Sequence, residues 1–157
     1  MNKREFVIIS ALRQDSRCSL TKMSRMTSIP ISTLHDKLKD YRGSLIKKNT
    51  TIVDFSKLGY NTRASVMFRV DKGQREQFIN CLKQCSHVNT LVKINNGFDF
   101  LVEFIFENIK DMEDYMELLD RKFTIVGKET YYLIEDIKRE AFLSTPRNPQ
   151  LKERSQP

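Results

Sequence analysis

The sequence predicts an α+β protein of two parts, an N-terminal winged helix-turn-helix and a following βαββαβ domain. Three observations predict it. Residues 19–41 read as two short amphipathic helices around a proline-marked corner. From Thr62 onward the apolar period changes to two, and strand and helix patterns then alternate along the chain. Charge divides near the same place. Residues 1–48 carry eleven Lys and Arg against four acids and residues 49–157 carry sixteen of each, so the whole formal charge of +7 lies on the first part. Such segregation is the electrostatic footprint of a surface that meets phosphates.

The remaining composition bounds the class. With 157 residues, 39% of them apolar, the chain can form one medium domain or two small ones, and the charge division favours two. No apolar run reaches the roughly 18–20 residues that span a bilayer, and Met-Asn-Lys-Arg-Glu leads into a polar-broken helix pattern rather than a signal peptide. Three cysteines, an odd count, fit a reducing compartment. A soluble protein of the cytoplasm, associated with the nucleoid, is expected.

In chain order, residues 2–14 predict a helix with Ile8, Ile9 and Leu12 on its buried stripe, stopped by Asp15-Ser16-Arg17. The two helices of residues 19–41 follow. Leu20 and Met23 face inward from the first, and Leu34, Leu38 and Tyr41 from the second. Ser32, Thr33, His35, Asp36 and Lys39 are left for the start and outer face of the second helix, the position of a helix that reads the major groove. Ser32 and Thr33 suit phosphates or base edges, His35 and Lys39 can donate to guanine, and Asp36 can accept from cytosine. As solvated surface, the same residues would need no partner. Arg42-Gly43-Ser44 reads as a helix stop. Leu45–Lys48 and Thr51–Asp54 around Asn49-Thr50 then read as the two strands of a wing. Arg25, Arg42, Lys47 and Lys48 are candidate phosphate contacts.

Phe55–Asn61 reads as a packed hinge. Thr62, Ala64, Val66, Phe68 and Val70 alternate with more polar neighbours and predict a strand. Asp71-Lys72-Gly73 turns into a helix through Ser86, with Phe78, Cys81, Leu82 and Cys85 on one side. Strands at 88–95 and 98–107 flank Asn96-Gly97 as a hairpin. A helix from Ile109 to about Arg121 and a strand from Thr124 to about Ile134 complete the order, which is that of the ferredoxin-like fold. On the hairpin, Val88, Thr90, Val92 and Ile94 join Phe98, Phe100, Val102, Phe104 and Phe106 on the core face. Leu91, Leu101 and Ile105, with Met67 and Val126, give the opposite face an apolar character that invites a second copy. The expected domains are 1–54, a hinge at 55–61, 62–140, and a disordered tail at 141–157.

Cys81, Cys85 and His87 are spaced Cys-x3-Cys-x-His, but no fourth ligand stands nearby, and thiols on a helix face usually pack as core. No metal or cofactor is expected. No nucleophile triad, carboxylate pair or glycine-rich phosphate loop points to an enzyme.

The chain resembles the Lrp/AsnC, or feast/famine, family of transcriptional regulators over roughly residues 3–138. The resemblance rests on Ala11-Leu12-Arg13-Gln14-Asp15-Ser16-Arg17, on Ile29-Pro30-Ile31-Ser32-Thr33-Leu34-His35 and, most specifically, on Ile52-Val53-Asp54-Phe55-Ser56-Lys57-Leu58-Gly59-Tyr60. It implies a homodimer held by the ferredoxin-like domains, often built into octamers, that binds double-stranded DNA at partly palindromic promoter sites. It also implies a small-molecule effector, commonly an amino acid, near the hairpin loop. That loop usually reads Gly-x-aromatic-Asp; Asn96, Gly97, Phe98 and Asp99 stand there, with Asn in place of the first glycine. Asn96, Gly97 and Asp99 are therefore the candidate effector residues, with a hairpin-capping carboxylate as the alternative reading of Asp99. Two other readings stay open: a dimeric sensor that has lost DNA reading, and an enzyme similar to the sirohaem decarboxylases, whose histidines this chain lacks, having two in all.

Overall fold

A computed structural model of the chain describes residues 3–145. It divides into two compact units: Val53–Asp136, and the residues up to Ile52 taken with those from Ile137 on.

The first unit holds three helices, α1 (Lys3–Gln14), α2 (Leu20–Thr27) and α3 (Ile31–Ser44). Ser19 caps α2, its hydroxyl accepting from the Lys22 amide at 3.2 Å. Ile8 and Ala11 of α1, Cys18, Met23, Ile29 and Leu34 form its core, with Leu12, Leu20, Leu38 and Tyr41 packed at the edge. Ile9, expected on the buried stripe, is only half-buried. α3 ends at Ser44, within the Arg42-Gly43-Ser44 stop, and takes Gly43 into its last turn. A single glycine costs a helix only about 1 kcal/mol, and the last turn still closes through the Leu45 amide on the Tyr41 carbonyl at 2.9 Å.

The wing is the main correction to the sequence reading. Residues 45–54 contain no strand. Thr50 is β-branched and disfavours the positive φ that a two-residue hairpin turn demands. Leu45, Ile52 and Val53 stay exposed, so nothing pays for a two-stranded ribbon that is marginal in water.

In the second unit a 3-10 turn, Phe55–Leu58, leads to β1 (Thr62–Val70), α4 (Arg75–Gln84), β2 (Val88–Lys93), β3 (Phe100–Phe106), α5 (Ile109–Lys122) and β4 (Ile125–Tyr132). The sheet is antiparallel in the order β2-β3-β1-β4, and this is the ferredoxin-like arrangement the pattern predicts. Ala64, Val66, Phe68 and Val70 meet Phe100, Val102, Phe104 and Phe106 under α4 and α5, which add Phe78, Leu82, Met112, Met116 and Leu119. Phe78 is the centre of an aromatic cluster, 5.2 Å from Phe68 and 5.1 Å from Phe123 between ring centroids. Asn96 and Gly97, at φ 64° and 91°, supply the two left-handed positions the hairpin turn requires.

The faces of β2 differ from the simple alternation. Val88 lies opposite Phe104, but the register then shifts, and Thr90, Leu91 and Val92 lie opposite Glu103, Val102 and Leu101. One extra residue in β2 turns every following side chain over. Leu91 consequently packs on the core, while Thr90 and Val92 go to the open face.

That open face carries a polar hub. Glu103 accepts from the Arg63 guanidinium, from Asn89 Nδ2 at 2.9 Å and from Thr90 Oγ1 at 3.0 Å, and Arg63 also reaches Asp136 at 2.8 Å. Burial pushes the Glu103 carboxyl up, but the hydrogen bonds from Arg63, Asn89 and Thr90 outweigh it and hold its pKa below the ordinary 4.5. A depressed folded pKa gives stability that is fully present above about pH 4.5 and lost as pH falls through the folded value. Glu103→Gln is expected to lower stability at pH 7 and to flatten this part of the acid limb in pH-dependent thermal unfolding. An unchanged acid limb would show that the hub contributes nothing.

Residues 141–145, expected to begin a disordered tail, make a turn in which the Ser144 amide and hydroxyl both donate to the Ala141 carbonyl, at 3.2 and 2.8 Å. The same expectation for residues 146–157 concerns residues outside those described.

Candidate nucleic-acid interface

The corner between α2 and α3 is built by short polar side chains. Thr27 Oγ1 donates to the Met23 carbonyl at 2.8 Å and accepts from the Ile29 amide at 3.3 Å, and Ser24 Oγ donates to the Ile29 carbonyl at 2.7 Å. Ser28 closes α2 in the left-handed region, φ 56°, its amide on the Ser24 carbonyl. Pro30 starts α3 with its fixed φ, and its carbonyl accepts from the Leu34 amide at 3.0 Å. A Cβ is unfavourable at Ser28, so Ser28→Gly is expected to stabilise this unit by roughly 0.5–1 kcal/mol, seen as a higher melting temperature. A fall in melting temperature would mean that the serine holds the corner by another means.

Buried Leu34 fixes the rotation of α3. Ser32, Thr33, His35, Asp36, Lys39 and Arg42 are then exposed, as is Arg25 in the last turn of α2. His35 Nδ1 and Asp36 Oδ1 stand 3.5 Å apart, so two predicted base readers also face one another. Lys47 and Lys48 are exposed beyond the end of α3, on backbone that is not a strand.

One cation of α3 has a different task, which side-chain spacing along a single helix does not reveal. Lys37 Nζ lies 2.9 Å from Glu5 Oε1 of α1 and ties the two helices together. The hydrogen bond to Glu5 raises the Lys37 pKa, and burial followed by the Glu5 charge raises that of Tyr41. Lys37 is thus held for structure while its neighbours on α3 stay exposed.

At the hairpin the three candidate effector residues separate. Asn96 and Gly97 are exposed at the tip. Asp99 is buried, and both of its oxygens are engaged: Oδ2 accepts from the Val70 amide at 2.9 Å, and Oδ1 lies 2.6 Å from Arg75 Nη2. Its carboxylate joins β3, the end of β1 and the start of α4. Among the described residues, no group of three His, Cys, Asp or Glu side chains is placed to hold a metal, and no helix is long and apolar enough to cross a membrane.

No protein-family model matches the chain. Among characterised sequences it is similar to the HTH-type transcriptional regulator FL11 of Pyrococcus horikoshii, with 24% identity over 132 residues that cover 83% of this chain and 87% of that protein. Among solved structures it is similar to the transcriptional regulator NMB0573 of Neisseria meningitidis in complex with L-Met, with a TM-score of 0.80 and 14% identity over 88% of this chain and 93% of that one. It is also similar to an AsnC family transcriptional regulator from Agrobacterium tumefaciens, with a TM-score of 0.74 and 14% identity over 88% and 94%. Fold and relatives together define a helix-turn-helix DNA-binding regulator of transcription, not an enzyme. Within that class the chain is similar to regulators of the Lrp/AsnC family.

Proposed function

We propose that the protein regulates transcription as a homodimer that sets two copies of α3 in successive major grooves, about one helical turn apart. The observation that carries the reading is the exposed row on α3, within the first 48 residues, whose net charge is +7. Ser32, Thr33, His35, Asp36 and Lys39 meet base edges or adjacent phosphates, while Arg25, Arg42, Lys47 and Lys48 set position on the backbone. The second copy covers the open sheet face, where Met67 lies opposite Leu101 and Leu101 opposite Val92. An apolar strip of this kind is costly to leave in water. An amino acid is the class of effector we assign to the hairpin, since the relative NMB0573 is seen with L-Met. It would meet the exposed tip at Asn96 and Gly97, because Asp99 is already committed.

The test is a fluorescence-anisotropy titration against the protein's own upstream DNA and a scrambled duplex at two salt concentrations. Tighter binding to the native duplex with a steep fall in salt is expected, and Lys47→Ala should reduce the salt slope by about one charge on both duplexes. Absence of binding to either duplex at low salt would refute the reading.

A further inference from the structure

The chain leaves its DNA-binding unit at Ile52 and returns to it at Ile137. One arginine makes three of the contacts that hold it there. Arg13, in the last turn of α1, donates from Nε to the Phe142 carbonyl at 3.0 Å, from Nη1 to the Glu140 carboxylate at 2.9 Å and from Nη2 to the Glu140 carbonyl at 2.9 Å. Three acceptors on one short segment match the planar fork of a guanidinium, which an ammonium cannot imitate.

The backbone of that segment is unusual. Glu140 and Leu143 have φ of 50° and 60°, in the left-handed region that side chains avoid, and a leucine there is a clear outlier. Such backbone persists only where surrounding contacts hold it. Apolar burial is a poor candidate for the grip, since Ile137 and Phe142 are 94% and 73% exposed. Arg139, Ala141, Leu143 and Ser144 are half-buried.

The unit that receives this segment is small. Its core is six buried residues, four on the three helices and two, Cys18 and Ile29, on their connections, and a domain of that size is marginal without an added staple. We infer that residues 137–145 are a clasp on the DNA-binding unit, seated by Arg13, and that DNA affinity depends on the clasp although it contacts no DNA. The inference rests on the DNA-binding role of this unit, and unfolding of the unit provides a readout independent of DNA.

Arg13→Lys is the decisive variant, because it keeps the charge and loses the fork. In the full chain it is expected to weaken binding about fivefold, to lower the melting temperature and to leave the salt slope unchanged. Ending the chain after Asp136 should do at least as much, and Arg13→Lys should then add nothing. Ending it after Thr145, which spares the clasp, should change neither readout. The inference is overturned if Arg13→Lys matches the parent while Arg13→Gln flattens the salt slope, for Arg13 is then a phosphate contact. It is overturned equally if removal of residues 137–157 leaves melting and affinity intact, or if removal of residues 146–157 alone reproduces the loss.

Discussion

Replacing Leu34 with alanine is expected to cost the DNA-binding unit about 3 kcal/mol and to remove most DNA binding with it. Leu34 is wholly buried, with Ile8, Met23 and Ile29 in the same core cluster. The cavity left by three lost carbons has little chance to collapse in a core of six residues. The same side chain sets the rotation of α3, so the variant loosens the exposed row of Ser32, His35, Asp36 and Lys39 even in molecules that stay folded. Thermal unfolding and anisotropy titration together check this. A variant that melts with the parent and binds DNA with parental affinity would show that Leu34 neither holds the unit nor aims its helix.

Asp99→Ala carries the second large effect, a loss of about 2–3 kcal/mol in the ferredoxin-like unit. The substitution strands the Val70 amide, whose hydrogen bond is buried, and leaves Arg75 without its carboxylate. Arg75 is about a third exposed and can rehydrate, which keeps the cost below that of a fully buried pair. Asp99→Asn retains an acceptor for Val70 and should lose less. Denaturant unfolding measures both. If Asp99 served a ligand alone, alanine would leave unliganded stability unchanged, and that result would reverse the structural role given to it.

The two variants fall on residues of different legibility. Leu34 is visible in the sequence because helical spacing from Leu34 to Leu38 and Tyr41 needs only the local chain. Asp99 is visible as a motif position, but its task depends on Val70 and Arg75, which lie 29 and 24 residues away along the chain. Likewise, Lys37 is indistinguishable from Lys39 until α1 brings up Glu5.

By itself the sequence determined the helix-turn-helix corner, the ferredoxin-like order, β1 at its observed limits, the Asn96-Gly97 turn and the concentration of charge in the first unit. Each of these rests on periodicity, turn chemistry or composition, which act over a few residues or over none. Tertiary structure alone decided four matters: the loss of the wing strands, the extra residue that turns Leu91 inward, the commitment of Asp99, and the return of the chain to Arg13. A strand needs a partner and a covered face, and a bulge is defined only against the strand opposite. A guanidinium on α1 and a carboxylate 127 residues later share no local signal. Their meeting is set by where the fold delivers the end of the chain, and short-range physics does not contain that information.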